Sequence, residues 1–166
     1  MIKSVLVLAV PHQLQGPNFP CHVDDPSYRK LVSGFLRSVD LVFEEAAGCG
    51  PSIAEELALS ALGASHYLDI DPARHDRHKY GIAAETEEWL PINPSGSSDM
   101  YSRLILGDLE KREELWLHRI RDRYFQQGLV ICAIGHGLSF AFRLRSAGFG
   151  DIQLCNYIPY EKLAGG

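Results

Sequence analysis

The chain alternates between unbroken apolar runs and segments whose apolar residues recur at helical spacing. Apolar runs that end at turn residues are typical of strands buried on both faces of a parallel sheet. Five strands are predicted, at 4–10, 40–44, 66–71, 129–134 and about 151–155. Four main helices are predicted between them, at about 25–39, 52–62, 108–127 and 138–147.

This alternation predicts one α/β domain over residues 1–166, with a mainly parallel sheet of about five strands flanked by helices. Two consecutive halves with right-handed crossovers most simply give the strand order 3-2-1-4-5. Residues 72–108 follow the pattern least well. We interpret them as an irregular insertion or a lid over a site, because long connections in compact domains are often functional.

Composition narrows the function classes. A chain of 166 residues with 46% apolar and 22% charged residues is ordinary for a soluble domain with one core. The formal net charge of −5 gives no basic footprint for nucleic acid, and no apolar run reaches membrane-spanning length. The apolar start is interpreted as a first strand and the four cysteines form no C-x-x-C pair, so a cytoplasmic location is expected. The oligomeric state, a homo-oligomer included, stays open.

Polar residues follow the strands at the expected reversal of strand order. His12 comes just after the first strand, His136 just after the fourth, and Glu44 and Glu45 end the second. Ligands of open α/β sheets bind at the carboxyl ends of the strands, where the order reverses. Two imidazoles and one carboxylate are a ligand set for a catalytic divalent metal, although His136 could also simply cap its own helix.

A carboxylate falls on the apolar stripe of the long third helix. Glu113 lies among Trp116, Ile120 and their helical neighbours, and burying it without a partner would be costly. It therefore needs a cation, a metal or water, and Arg112 lies close enough to serve the same place. The alternative is that this first helical turn overhangs the sheet and leaves Glu113 hydrated.

Two other clusters are weaker candidates. His75 and His78 could bind a metal from one helix face, but their charged neighbours favour a solvated surface. Cys49 or Cys21 could act as a nucleophile beside a histidine, because Cys49 lies in a loop beyond the second strand.

The ordered motifs resemble the TraB/GumN and Tiki group and, more distantly, ChaN-like and erythromycin-esterase-like proteins. The counterparts of the group's motifs are Ala9-Val10-Pro11-His12, the LVFEE strand end, Arg112-Glu113-Glu114-Leu115-Trp116 and Ala133-Ile134-Gly135-His136. Both motif-leading glycines are alanines in this chain. The resemblance implies a metal-dependent hydrolase, peptidase-like in Tiki proteins, with His12, Glu45 and His136 as ligands and Arg112 positioning substrate or an oxyanion.

These observations lead to one main hypothesis and two rivals. The main hypothesis is a metal-dependent hydrolase of an amide or ester bond in a small molecule or peptide, using zinc, manganese or cobalt, with Glu44 or Glu113 as proton acceptor. The first rival is metal-free acid–base chemistry, in which His12 and Glu45 activate water directly. The second is a domain that binds a small ligand without chemistry. No phosphate-binding loop follows the first strand, which disfavours a nucleotide ligand.

Overall fold

A computed structural model describes residues 3–19, 21–82 and 98–159, with side chains described from residue 107 onward in the last range. Its strands are β1 (Ser4–Val10), β2 (Leu41–Glu44), β3 (Tyr67–Asp69), β4 (Gln127–Ala133) and β5 (Ile152–Asn156). Its α-helices are α1 (Pro26–Phe35), α2 (Ile53–Ala61), α3 (Ser98–Arg121) and α4 (Ile134–Ser146). Short 3-10 helices span His12–Leu14, Ala64–His66 and Arg74–Tyr80.

The five strands form one parallel sheet, which confirms the predicted α/β class. The order is β3-β2-β4-β1-β5, so the predicted order 3-2-1-4-5 is wrong at its centre. β4 is inserted between β2 and β1 instead of lying beyond β1. β1 and β4 are neighbours in both orders, and in the structure β4 also borders β2.

Helices cover both faces of the sheet. α1 and α2 pack on one face, through a core that includes Tyr28, Val32 and Ile53. α3 and α4 pack on the other face, through a core that includes Trp116 and Phe140. The connections from β1 to β2 and from β2 to β3 run toward the β3 edge and place α1 and α2 on the first face. The connections from β3 to β4 and from β4 to β5 run in the opposite direction and place α3 and α4 on the second face, as right-handed crossovers require.

Local sequence signals fix the starts of two helices. The Asp25 side chain accepts a hydrogen bond from the Ser27 N–H at 3.0 Å and thereby caps α1. Ser52 and Glu55 form the predicted capping box at the start of α2. These caps satisfy backbone donors that have no partner inside the helix.

The observed helix boundaries differ most from the predicted ones around α3, where the helical spacing of apolar residues is least regular. α3 begins at Ser98 and ends at Arg121, ten residues earlier than the predicted start and six earlier than the predicted end at 127. Within the predicted insertion 72–108, the described parts form a 3-10 helix at Arg74–Tyr80 and the start of α3. Residues 83–97 lie outside the described ranges, so the lid stays a prediction. Of the helices in the described ranges, none is both long and apolar enough to cross a bilayer.

Candidate functional site

Three polar side chains meet at the carboxyl ends of β1, β2 and β4. His12 opens the 3-10 helix after β1, Glu45 follows β2 directly, and His136 is the third residue of α4. The Nε2 atoms of His12 and His136 lie 3.6 and 3.7 Å from the same atom, Oε1 of Glu45. The structure thus brings together the three residues that the sequence analysis placed at one crevice.

A pocket of about 370 Å³ opens over this group. His12, Glu45 and Arg112 line it, and His12 is the most accessible of the three, with 39% of its side chain exposed. The other lining residues are Gln13, Phe19, Cys21, Ala46, Ala47, Cys49 and Arg74. The walls therefore combine apolar and polar surface, as small-molecule sites commonly do.

The carboxylate of Glu45 is buried, and both of its oxygens accept hydrogen bonds. Its Oε2 accepts a hydrogen bond from the Ala133 N–H at 2.7 Å, at the start of α4. Its Oε1 accepts a hydrogen bond from the Arg112 guanidinium, and its own backbone N–H bonds to the carbonyl of Ile131 at 2.9 Å. Two of these three bonds run to β4 or its end, so the observed strand order is what fixes Glu45.

Arg112 belongs to a second buried group, centred on Asp71. Its Nε and Nη2 donate to the two carboxylate oxygens of Asp71 at 3.0 Å each, a bidentate pair. The Trp116 indole N–H and the Arg77 guanidinium also donate to Asp71, at 2.8 and 2.7 Å. Asp71 therefore holds Arg112 in position beside Glu45.

His136 is oriented by Glu113. Its Nδ1 lies 2.9 Å from Glu113 Oε1, and because a carboxylate oxygen only accepts, Nδ1 carries the proton. Burial would raise the pKa of Glu113, but hydrogen bonds from His136, Ser139 and Arg143 together with nearby positive charge hold this pKa below its ordinary value. Glu113 is 4% exposed, so the hydrated alternative for it is wrong and the expectation of a cationic partner is met.

His12 is oriented by Gln15. The Gln15 Nε2 donates to Glu44 Oε1 at 2.9 Å and to the Glu45 carbonyl at 3.2 Å, so its Oε1 is the atom that faces His12. This oxygen lies 2.5 Å from His12 Nδ1 and accepts its hydrogen. Nδ1 of each histidine therefore donates a hydrogen bond, so in the neutral form of either ring the lone pair lies on Nε2, the atom that faces Glu45 Oε1.

The side chain of Glu44 lies on the opposite face of the sheet from that of Glu45. Its side chain is fully buried on the α2 face of the sheet and accepts hydrogen bonds from Gln15, Ser52 and Tyr67. Burial raises its pKa to about 7, partly offset by these hydrogen bonds. Its role as a proton acceptor stays a prediction, and its contacts with Gln15, Ser52 and Tyr67 hold it apart from the pocket-lining residues.

A protein-bound metal ion needs several histidine, cysteine or carboxylate ligands close together. Among the side chains that the structure describes, no group of three or more histidines, cysteines or carboxylates is arranged as a metal site. Oε1 of Glu45, the atom nearest both imidazoles, already accepts a hydrogen bond from Arg112. A cation bound there would lie close to a guanidinium, which is electrostatically unfavourable.

Asp69 shapes one wall of the pocket. Its carboxylate accepts hydrogen bonds from the N–H groups of Ala46 and Gly48, at 3.2 and 2.9 Å. The loop includes two residues at positive φ, Ala47 at 51° and Gly48 at 76°, and the bonds from Asp69 hold this turn. Cys49 follows in the same loop and lines the pocket, as the cysteine hypothesis requires, but no structural finding assigns it a role.

The 3-10 helix at Arg74–Tyr80 contains the predicted histidine pair, and its side chains differ in burial. His75 and His78 are exposed, in agreement with a solvated face. Arg77, which the sequence analysis placed on that same face, is fully buried against Asp71. Gln15 and Asp71 were also missed, although Gln15 follows the first predicted strand by five residues and Asp71 is the last residue of the third, so both could have been considered with the strand ends.

Comparisons with known proteins add no relative. The chain matches no protein-family model, and no curated protein or solved structure is significantly similar to it. The resemblance to the TraB/GumN and Tiki group therefore stays a prediction carried by four short motifs. Function is therefore inferred from the geometry of this site.

Proposed function

We propose that the protein is a hydrolase of a small ester or amide, with His12 as general base at the pocket floor. The observation that carries the proposal is that the Nε2 atoms of His12 and His136 both face Oε1 of a buried glutamate, Glu45, at 3.6 and 3.7 Å. A proton acceptor whose free lone pair borders a pocket is the basic requirement of water activation.

In the proposed step, Nε2 of His12 takes a proton from a water molecule as the water oxygen attacks the carbonyl carbon of the substrate. The imidazolium that forms is stabilised by the Glu45 carboxylate beside it. The same proton then passes to the leaving alcohol or amine as the carbon–oxygen or carbon–nitrogen bond breaks. His12 returns to its neutral form, so the cycle is balanced without a further reactant.

Arg112 and His136 have supporting roles in this proposal. Arg112 lines the pocket, and its positive charge stabilises the oxyanion of the tetrahedral intermediate. His136 is buried, and its bond to Glu113 fixes the ring, so it completes the wall around Glu45 Oε1. The apolar part of the pocket, which includes Phe19 and Ala46, would contact the non-reacting part of the substrate.

A metal-dependent hydrolase is the second candidate, and one feature of the site favours it. Metal-bound histidines usually donate their other ring N–H to a carboxylate or an amide, as His12 and His136 do to Gln15 and Glu113. Each Nε2 also lies 3.6 or 3.7 Å from Glu45 Oε1, a separation that two ligand atoms about 2 Å from one ion can have. His12, Glu45 and His136 would hold zinc, manganese or cobalt, which would supply an acidified water.

The test is hydrolysis of a panel of chromogenic esters and anilides by the purified protein, with and without a strong chelator. His12→Ala is expected to lower kcat at least about 100-fold, because a positioned general base contributes that much. The matched control is His118→Ala, since His118 is 74% exposed and pairs only with Asp122 among the described contacts. Activity that survives chelation supports the metal-free route.

Three results would change the proposal. Loss of activity on chelation with recovery on adding zinc, manganese or cobalt selects the metal-dependent route. Turnover that is equal in the His12→Ala variant and the unmodified protein refutes His12 as the base. If no member of the panel is hydrolysed but one binds in the pocket, with affinity reduced by the His12→Ala substitution, the domain is a ligand-binding module instead.

A further inference from the structure

The buried pair formed by Gln15 and Glu44 has a place in the site that sequence motifs do not indicate. Both side chains are fully buried, and both are joined to His12 by a continuous path of hydrogen bonds. A buried glutamine requires partners for both ends of its amide. In this protein one end faces Glu44 and the other faces His12.

We propose that Gln15, oriented by Glu44, is a positioning residue that sets the tautomer of His12. The inference rests on the proposed role of His12 as a base, and it names the residues that make that role available. Without Gln15, the proton of a neutral imidazole could sit on either ring nitrogen. With the Gln15 carbonyl at Nδ1, the proton stays there and Nε2 keeps the lone pair that borders the pocket.

The direction in which the amide points follows from its acceptors. Nε2 of Gln15 lies 3.2 Å from the Glu45 carbonyl, which can only accept, and 2.9 Å from Glu44 Oε1, which accepts whenever that carboxyl is ionised. Reversing the amide would place its oxygen against both of them. The reversal is therefore unfavourable, and the carbonyl of Gln15 is held toward His12.

Glu44 is in turn fixed by elements on three sides. Ser52 at the start of α2 and Tyr67 of β3 both donate hydrogen bonds to its Oε2. Ser52 also accepts the Glu55 N–H that caps α2, so the carboxylate is coupled to a helix start. The position of Glu44 thus follows from the packing of β2, β3 and α2, and Gln15 transmits that position to His12.

His136 provides an internal comparison. Its Nδ1 bonds directly to the Glu113 carboxylate, so its tautomer does not depend on Gln15. A change at Gln15 should therefore alter the ring nitrogens of His12 and leave those of His136 unchanged. This selectivity separates loss of positioning from general loss of structure.

The experiment is nitrogen NMR of ¹⁵N-histidine-labelled protein, at a pH high enough that the rings carry one proton each. In the unmodified protein, His12 and His136 are both expected to show a protonated Nδ1 and an unprotonated Nε2. Gln15→Met, which keeps the length of the side chain and removes its carbonyl, should shift His12 toward the Nε2–H form. Glu44→Gln should retain the Nδ1–H form, because its carbonyl still accepts from Gln15.

The activity measurement accompanies the spectra. Gln15→Met is expected to lower kcat about 10- to 100-fold with little change in KM, because fewer molecules hold the base in its active form. Gln153→Met is the matched control, since Gln153 is exposed and its side chain bonds only to Asp151 among the described contacts.

Two results would overturn the inference. One is an Nε2–H tautomer of His12 in the unmodified protein, which needs no variant to be detected. The other is a Gln15→Met protein that folds and keeps His12 in the Nδ1–H form. The tautomers are measured without a substrate, so they decide the positioning role even if the hydrolysis assay fails.

Discussion

Replacing Glu44 with glutamine is expected to make the stability of the protein less sensitive to rising pH. Burial raises the pKa of the Glu44 carboxyl to about 7, and hydrogen bonds from Ser52, Gln15 and Tyr67 offset this only in part. The unfolded chain releases the same proton near 4.5, the ordinary value. Between these two values the folded protein binds more protons than the unfolded chain. The stability contributed by protonated Glu44 is therefore complete below the lower pKa and is lost as pH rises through the higher one.

The size of this effect follows from the two pKa values. The interval from 4.5 to about 7 corresponds to about 3 kcal/mol, because one pKa unit is worth about 1.4 kcal/mol. Glutamine at position 44 keeps an oxygen for Gln15, and its amide can donate to the hydroxyls of Tyr67 and Ser52, which can accept. The free energy of unfolding of Glu44→Gln, relative to the unmodified protein, should thus rise by about 3 kcal/mol across this pH interval.

Urea denaturation followed by circular dichroism, repeated at several pH values, measures this difference. Titrating groups that do not interact with Glu44 contribute equally to both proteins, so subtracting the curves leaves Glu44 and its coupling to neighbours such as Asp69. Glu56→Gln is the control, because the Glu56 side chain is 47% exposed and a surface pair contributes little. If the difference between Glu44→Gln and the unmodified protein stays constant from about pH 4.5 to 8, Glu44 does not titrate with the raised pKa in the folded protein.

Two further substitutions test the packing around the site. Gly137→Ala should destabilise the protein by about 1–3 kcal/mol in thermal or urea unfolding, because a Cβ there would lie 2.6 Å from Cβ of Ala9. Gly135→Ala is its control, since a Cβ there would meet no described atom within 4 Å outside its own stretch of helix. An equal loss of stability in both variants would contradict the packing explanation. Arg112→Met should destabilise by about 3–5 kcal/mol, because it removes the cation that Glu45 and a second buried carboxylate share. A normal unfolding midpoint for that variant would show that the carboxylates find other partners.

The fold class was predictable because each strand and helix carries its own signal. Buried runs, the capping box at Ser52 and the stop signal at Gly148 are properties of short stretches of sequence. Strand order is not local in this way, and the assumption of two consecutive halves placed β4 on the wrong side of β1. One residue does carry a trace of the true order. Gly128 of β4 has no side chain, and a Cβ there would meet the Phe125 ring at 2.8 Å and the Phe43 ring of β2 at 3.1 Å.

The meeting of His12, Glu45 and His136 was predictable in spite of that error. His12 and His136 follow β1 and β4, which are neighbours in the predicted order and in the observed one. Glu45 reaches them by a route that the prediction did not contain, because β2 borders β4 rather than β1. The carboxyl ends of parallel strands share one edge of the sheet, so an exchange of neighbouring strands moves these side chains only slightly.

The residues behind the site were less predictable, because their burial depends on partners distant in the chain. Arg77 lies in a charged stretch that is typical of a solvated surface. It is nevertheless fully buried, because its guanidinium forms an ion pair with the buried carboxylate of Asp71. Gln15 lies in a loop by composition, and only the position of Glu44 across the sheet explains its burial. The spacing of apolar residues along the sequence does not indicate such pairings, because they form only when separate helices and strands pack together.

The balance of charge beneath the pocket bears directly on the choice between the two catalytic routes. Arg77, Asp71, Arg112 and Glu45 form a continuous series of ion pairs with two positive and two negative charges. The four charges balance, so this series is neutral by itself, and any charge on His12 adds to it. A divalent ion bound at Glu45 would add two positive charges beside a guanidinium. A single proton on His12, present only while the water is being activated, adds one and lies next to the Glu45 carboxylate. The buried charges therefore suit a transient imidazolium better than a resident metal ion, which is why we place the metal-free route first.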